Sequence, residues 1–385
     1  MTTTLPPITD FTGSGVTQYN FKQALTSLHQ VVGESQAGLS LMQQIVAGGT
    51  RVINGGMTID QRNYGAAQVG VNTGQYICDR FPFYTSQAGK WTLQQVAITD
   101  LPGAINAGKV TISTPYTTGP TDTAFVDHKI EGINVFNLAW GTPSASPVTI
   151  SFSVKSSVTG VYAVTILNKY QTRVYSATYT VSTAGLWTTV TLTIPGDTNA
   201  AWIPELGTDL ILRFGLGCGS NYAIGAANTW GTTIGYQPAG GAVISGVLGG
   251  YWQMTGLKLE PGSSATPFGF EPTGMTLALC QRYCQAVGAN HYGRTESTTA
   301  YGICVPFSVE MRVNPSVSVM AGRSFNTRYN NSDVSIVSPT ISATTTSKYG
   351  LFTQVTSTAL TANIPVFGRH QNGLAGNFLL CSAEL

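Results

Sequence analysis

Two groups of acidic residues are close enough in sequence to form the carboxylate pair of a glycoside hydrolase. They are Asp122, Asp127 and Glu131 in the first group, and Asp197, Glu205 and Asp209 in the second. Such enzymes place two carboxyl groups on either side of the bond that they cleave. The whole chain holds only 17 acidic residues, and turns and caps account for most of these positions. We therefore predict structural roles for these carboxylates and no catalytic residue.

The cysteines and histidines match no catalytic or metal-binding motif. No HExxH, GxSxG or P-loop sequence is present. Cys280 and Cys284 are four residues apart and could share a helix face, with His291 and Cys304 nearby, but zinc sites more often use Cys-x2-Cys pairs. No export signal is recognised, so free, buried thiols are expected. The sequence predicts a protein that is not an enzyme, with no cofactor and no metal-ligating residues, although Ca²⁺ or Mg²⁺ bound at a trimer axis would leave no signature in the sequence.

Sugar binding is the third chemistry that the residue types allow. Aromatic faces pack against the apolar side of a pyranose, and amides, carboxylates and arginines bind its hydroxyl groups. Trp230 and Tyr236 lie in a polar, Gly-rich loop, where we expect them to be exposed. Residues 325–333 form either a binding loop or a simple polar hairpin turn, and residues 369–372 form a second such turn. The candidate glycan-binding residues are Trp230, Tyr236, Arg328, Tyr329, Asn330, Asp333, Arg369 and His370. Three other tryptophans adjoin strands and are expected in the core, namely Trp140, Trp187 and Trp252.

The composition favours strands joined by tight turns. Charged residues make up 9% of the 385 residues, against about 25% in typical domains. Glycine occurs 44 times, and serine, threonine and valine are abundant. The net charge of +2 provides no basic patch for nucleic acid. No run of 18 apolar residues exists, so no membrane insertion is expected.

Hydrophobic periodicity predicts a mostly β fold. Apolar residues alternate with polar ones in 148–154, in 190–194 and in 210–216, which is typical of half-buried antiparallel strands. In 252–259 the apolar phase slips by one at Gly256, which indicates a β-bulge. We predict an antiparallel jelly roll or sandwich over 51–272 and a second, sandwich-like β tip domain over 273–385.

The N-terminal 50 residues are predicted to be an anchoring arm. Thr17 to Val32 is the clearest helix, and Phe21, Leu25, Leu28 and Val32 form one apolar stripe along it. A lone helix of this length is marginal in water, so we expect it to pack on copies of itself or on another protein. Residues 275–286 are predicted to form one short helix or strand.

Several motifs resemble a domain found in tail fibres of tailed bacteriophages and in related virion proteins. In chain order they are MTIDQRN at 57–63, YICDRF at 76–81, IEG at 130–132, WGT at 140–142, SFSVKSSVTGVYAV at 151–164, GLKLEPGSSATPF at 256–268 and LCQRY at 279–283. They cover more than half of the chain. The final SAEL at 382–385 is also similar to the end of many phage fibres, and the N-terminal arm is similar to virion-anchoring arms of short fibres.

The resemblance implies a jelly roll like that of a carbohydrate-binding module, often assembled as a trimer. On this basis the chain is expected to be a homotrimeric virion protein that is held by residues 1–50 to a portal, adaptor, tail or capsid protein. It would recognise a host-surface polysaccharide or receptor. The first alternative is a head or collar fibre, or an adaptor, without receptor binding. The second alternative is a glycan-degrading tailspike.

Overall fold

The computed structural model describes residues 49–199, 202–269, 272–288, 291–297, 299–320, 325–329, 332–336, 340–356, 365–369 and 378–385. The predicted anchor helix, with Phe21, Leu25, Leu28 and Val32, lies outside these residues. Its existence and its anchoring role stay predictions.

Thirteen antiparallel strands between residues 68 and 261 form two sheets. The strands are β1 Gln68–Val69, β2 Gln75–Tyr76, β3 Pro82–Thr85, β4 Trp91–Ala97, β5 Asn106–Ile112, β6 Ala124–Glu131, β7 Val148–Ser156, β8 Gly160–Asn168, β9 Val174–Val181, β10 Thr188–Ile194, β11 Thr208–Gly215, β12 Trp230–Gly231 and β13 Tyr251–Pro261. The first sheet has the order β1-β4-β5-β13-β7-β10, and the second has the order β12-β9-β8-β11-β6-β3-β2. In the described part of the chain, three short 3-10 helices lie in connections, at Gly132–Asn134, Phe136–Leu138 and Ser220–Tyr222.

The two sheets enclose one hydrophobic core, which confirms the predicted sandwich. Phe152 of the first sheet meets Phe214 of the second with ring centroids 5.3 Å apart, and Trp252 lies 5.9 Å from Phe214. All three side chains are buried. The period-two alternation therefore has a simple cause, because every second residue of these strands faces this core.

The predicted bulge at Gly256 is confirmed. The register of β13 against β7 shifts between Thr255 and Lys258, and Gly256 has a φ of +67°. A residue without Cβ adopts this left-handed conformation without strain. The extra residue lets Met254 and Leu257 both reach the core.

The C-terminal part is also β-rich, which confirms the predicted fold class there. Its strands are β14 Cys284–Val287, β15 His291–Thr295, β16 Ala300–Pro306, β17 Ser316–Val319, β18 Phe325–Tyr329, β19 Ser332–Ile336, β20 Ile341–Ser347, β21 Gly350–Thr356, β22 Pro365–Arg369 and β23 Leu379–Ser382. They form a sheet of order β14-β23-β17 and another of order β19-β18-β22-β15-β16-β21-β20. A separate hydrophobic cluster around Ile303, Val355 and Leu379 lies here.

Residues 275–286 are not one element. Helix α1 spans Thr273–Gln281, and β14 begins at Cys284. Cys280 and Cys284 therefore do not share a helix face. Both thiols are buried, as predicted, but Cys304 is exposed, so the expectation of burial is wrong for that residue.

The motifs that resemble phage fibres meet at the C-terminal residues. The carboxylate of Glu384 accepts hydrogen bonds from Arg62, at 2.9 Å, and from Arg80. The Arg80 guanidinium lies 3.7 Å from the centroid of the Tyr283 ring. The amide of Gln61 donates to the carbonyl of Cys284 at 2.8 Å. Residues 51–385 form one compact unit, and this polar junction joins the sandwich to the C-terminal strands within it.

No helix in the described segments is both long and apolar enough to cross a membrane.

Candidate functional site

Three tryptophans that are distant in sequence meet at one end of the sandwich. Trp140 follows the 3-10 turn Phe136–Leu138, Trp202 lies in the connection from β10 to β11, and Trp230 lies in β12, which pairs with β9. The ring centroids of Trp140 lie 4.7 Å from Trp202 and 5.4 Å from Trp230, and both pairs are edge-to-face. This geometry is favoured because the positive ring edge meets the negative ring face. We call these three residues the tryptophan cluster.

The indole nitrogens of the cluster are all bonded to the scaffold. Trp140 Nε1 donates to the carbonyl of Ser146 at 2.7 Å, and Trp230 Nε1 donates to the carbonyl of Pro195 at 2.8 Å. Trp202 Nε1 donates to the Asp197 carboxylate at 3.0 Å. The rings are therefore held in fixed orientations, and the three indole N–H groups are already committed to the scaffold.

Asp197, which accepts the hydrogen bond from Trp202, is itself held in place by Arg173. Its carboxylate accepts two hydrogen bonds from the Arg173 guanidinium, at 2.8 Å and 2.6 Å. Burial raises the pKa of this carboxyl, but the bonds from Arg173 and Trp202 outweigh that effect and hold the pKa below its ordinary value. Asp197 is therefore an ionised structural group.

A pocket of about 220 Å³ opens beside the cluster. Its walls include Val135, Phe136, Trp140, Trp202 and Asp209. Phe136 is 62% exposed and forms part of the rim. Pockets for drug-sized ligands occupy roughly 300–1,000 Å³, so this smaller pocket suits a single ring.

Asp209 supplies the carboxylate of the pocket. It is the second residue of β11, and its side chain is 1% exposed. Its Oδ2 accepts a hydrogen bond from the backbone N–H of Ile203 at 2.6 Å, whereas its Oδ1 is buried and has no partner. Burial raises the pKa of Asp209 to about 6. A buried acceptor without a donor costs roughly 1–3 kcal/mol, and a ligand hydroxyl would satisfy it.

Of the two predicted sugar-binding residues in the sandwich, Trp230 is half-buried and belongs to the tryptophan cluster, but it is not among the residues that line the pocket. Tyr236 is 5% exposed, so the expectation of exposure is wrong for it. Its ring stacks on Tyr222 at 5.5 Å and lies 4.6 Å from the Arg213 guanidinium. The Gly-rich connection folds back onto the outer face of the second sheet and buries this tyrosine.

The other candidates lie in the C-terminal sheet. Strands β18 and β19 pair antiparallel, with Arg328 opposite Asp333 and Tyr329 opposite Ser332 in the backbone register. Arg369 is the last residue of β22 and pairs with Asn326. Four candidates are thus brought onto neighbouring strands of one sheet: Arg328, Tyr329, Asp333 and Arg369. Asn330 and His370 lie outside the described residues, and the glycan-binding role of all six stays a prediction.

The core prediction for the remaining tryptophans is confirmed for two of them. Trp252 is fully buried and Trp140 is 7% exposed, although one side of Trp140 lines the pocket. Trp187 is half-buried and donates a hydrogen bond to Asp100 at 3.0 Å, so its assignment to the core is wrong. It lies one residue before β10, in the phase of that strand's alternation that faces away from the core.

Most of the acidic residues that suggested a carboxylate pair have structural partners. Asp127 receives two hydrogen bonds from Arg213, both at 2.8 Å. Asp122 accepts bonds from Ser86 and Gln87. Glu205 pairs with Lys169. Within the described segments, no cluster of three or more His, Cys, Asp or Glu residues has a geometry that could hold a metal ion.

Neither Trp202 nor Asp209 is predicted from the sequence to bind sugar. Asp209 is one of three neighbouring acids, and Trp202 belongs to no periodic pattern. Their contribution depends on contacts with Trp140 and the 3-10 turn, which are more than 60 residues away in the chain. No local pattern reports such contacts.

Comparison with known proteins gives structural likeness alone. No family model and no curated protein sequence matches the chain. A CBM4 structure is 14% identical with a TM-score of 0.27, covering 53% of this chain and 99% of its own. TmCBM61 in complex with β-1,4-galactotriose is 7% identical with a TM-score of 0.25, covering 48% and 90%. The family 11 carbohydrate-binding module of a Clostridium thermocellum cellulase is 11% identical with a TM-score of 0.24, covering 52% and 96%. No residue role is transferred from them.

Proposed function

We propose that this chain is a non-enzymatic, glycan-binding fibre protein of a tailed-phage virion and that the pocket beside the tryptophan cluster holds one sugar ring. The observation that carries the binding role is the unpartnered Oδ1 of Asp209 in a pocket walled by aromatic rings. Aromatic faces bind the apolar side of a pyranose, and the carboxylate accepts a hydroxyl hydrogen bond.

We propose binding without hydrolysis at this pocket, because a glycosidase uses two carboxylates. Asp209 is the carboxylate of the pocket wall. The nearby Asp197 is committed to Arg173 and Trp202, and Glu205 is paired with Lys169. Incubation with host polysaccharide should release no new reducing ends, and their appearance would support the tailspike alternative instead.

The virion assignment is supported by the ordered motifs between residues 57 and 283. Several of them, with the final SAEL, build the junction around Glu384, so they form one structural unit rather than scattered similarities. We propose a homotrimer that residues 1–50 hold to a portal, adaptor, tail or capsid protein. Light scattering of the full chain at micromolar concentration tests the trimer. Immunogold imaging of virions separates a tail fibre from a head or collar fibre.

Binding is tested by titrating the full chain with a panel of neutral methyl hexosides and following ligand-observed NMR. Trp202→Ala and Asp209→Ala should each raise the dissociation constant of the best-bound hexoside about tenfold, because each removes a contact worth roughly 1–3 kcal/mol. Trp187→Ala is the matched control, since it removes a half-buried tryptophan elsewhere on the sandwich. Equal binding by all three variants, or no binding of any hexoside by the parent protein, would refute the pocket.

A further inference from the structure

Two lysines flank one glutamine on the outer face of the first sheet. Gln253 of β13 pairs with Lys109 of β5 on one side and with Lys155 of β7 on the other. Neighbouring strands lie about 4.8 Å apart, so the backbones of the two lysines are roughly 10 Å apart. Their side chains leave the same face of the sheet because paired residues share a face.

Each lysine lies over an aromatic ring. Lys109 Nζ is 4.6 Å from the centroid of Tyr251, and Lys155 Nζ is 4.8 Å from the centroid of Trp187. Both aromatic side chains are half-buried, and the turn that carries Trp187 approaches Tyr251, since a methyl group on Gly185 would lie 3.7 Å from the Tyr251 hydroxyl. We call Lys109, Lys155, Trp187, Tyr251 and Gln253 the lysine platform.

The platform has more positive than negative charge. Asp100 accepts hydrogen bonds from Lys155 at 2.7 Å and from Trp187 at 3.0 Å. Among the described residues, no carboxylate forms an ion pair with Lys109. Burial and the charge of Lys155 lower the pKa of Lys109. The two positive charges repel each other, and a bound anion would reduce that cost.

Gln253 gives a second, independent sign of a ligand. Its side chain is 6% exposed, and its Oε1 is buried without a hydrogen-bond partner. A buried amide oxygen without a donor is costly. A ligand that offers both a hydroxyl donor and an anionic group would satisfy Gln253 and neutralise the lysines together.

A groove of about 440 Å³ continues from the platform along the same face. Thr255 lies two residues beyond Gln253, Thr189 lies two residues beyond Trp187, and Leu101 follows Asp100; all three line the groove, as does Phe268. A ligand held at the platform can therefore extend as a chain, which a polysaccharide does and a simple anion does not.

We infer that the lysine platform binds a uronic acid residue of an acidic polysaccharide. Its carboxylate lies between Lys109 and Lys155, and its ring packs on Trp187. This site is separate from the tryptophan cluster. Trp187 of the platform precedes β10, whereas Pro195, which accepts the hydrogen bond from Trp230 of the cluster, follows it. The seven residues of β10 place its two ends roughly 20 Å apart.

The test titrates the full chain with oligogalacturonate and with a neutral oligosaccharide of equal length, using calorimetry. Lys109→Gln should raise the dissociation constant for oligogalacturonate about tenfold or more, as expected for a lost charge-assisted contact. Lys109→Arg should retain binding. Lys90→Gln is the matched control, because Lys90 Nζ lies 4.8 Å over the ring of Tyr116 away from the platform. Added salt should weaken the parent's binding.

The pocket and the lysine platform are tested independently of each other. Trp187→Ala should lose binding of oligogalacturonate and keep binding of the neutral hexoside. Asp209→Ala should lose binding of the neutral hexoside and keep binding of oligogalacturonate. Equal effects of Lys109→Gln and Lys90→Gln would overturn the platform, as would oligogalacturonate binding no more tightly than the neutral chain. Loss of oligogalacturonate in Asp209→Ala with no loss in Trp187→Ala would also overturn it, because the acidic sugar would then occupy the tryptophan pocket.

Discussion

Replacing Glu384 with glutamine should open the junction between the sandwich and the C-terminal strands. The Glu384 side chain is 9% exposed, and its partners Arg62 and Arg80 are 10% and 3% exposed. The substitution keeps the shape and removes the charge, so the buried Arg80 loses its carboxylate, while Arg62 retains Asp79, whose Oδ1 lies 3.9 Å from its Nε. Breaking a buried pair from one side costs about 3–5 kcal/mol.

The assay is amide hydrogen exchange of the full chain, because hydrogen exchange reports local opening without the assumption of two-state unfolding. The reporter is the Ala383 N–H, which donates to the carbonyl of Tyr283 at 2.7 Å. A loss of about 3 kcal/mol accelerates its exchange more than a hundredfold. Glu310→Gln is the matched control, since the Glu310–Lys348 pair spans 3.8 Å and both side chains are more than 40% exposed. That pair should contribute about 1 kcal/mol or less.

If Glu384→Gln exchanged no faster at Ala383 than Glu310→Gln, the junction would not depend on this carboxylate. The double variant Arg80→Met, Glu384→Gln separates the stranded charge from the lost bonds. It should exchange more slowly than Glu384→Gln, because one buried cation has been removed with its partner. Equal or faster exchange would refute the charge argument.

Three further outcomes are expected. The folded pKa of Asp209, about 6, lies above the ordinary 3.8, so its contribution to stability is lost as the pH rises from about 4 to 6. The Tm of the parent should fall relative to Asp209→Asn across that window, and a constant difference would contradict the assignment. Gly256→Ala should cost about 1–2 kcal/mol, because the φ of +67° strains any residue with a Cβ. Gly231→Ala, which meets nothing within 4 Å, should be nearly neutral in the same denaturation experiment. Cys304 is the exposed thiol among six, so iodoacetamide should label one site in the native protein, and labelling of Cys304→Ser would refute this.

The strands were predictable because their signal is local. The apolar alternation of Val148 to Val154 predicts the strand β7 that is found there, and the phase slip at Gly256 predicts the bulge in β13. The C-terminal segment around Cys280 and Cys284 was less certain because its apolar residues fit either period. The chain divides it into a helix and a strand.

The pocket was not predictable, because its parts are joined only by tertiary contacts. Trp230 was expected to be exposed beside Tyr236, yet Trp230 packs against Trp140 while Tyr236 is buried over Arg213. The placement of Trp187 outside the core, by contrast, follows from the strand pattern. Val190 faces the core and Thr189 is exposed, so Trp187 is in the outward phase of β10.

The position of β13 between β5 and β7 determines when the first sheet can be completed. More than a hundred residues separate the end of β5 from the start of β13, so a growing chain exposes two open strand edges while the intervening segment is being synthesised. Open edges pair readily with other chains, and long-range pairings of this kind form slowly. Efficient production of the protein therefore depends on keeping nascent chains apart, and we expect lower temperature and slower synthesis to raise the folded yield more than changes to surface charge.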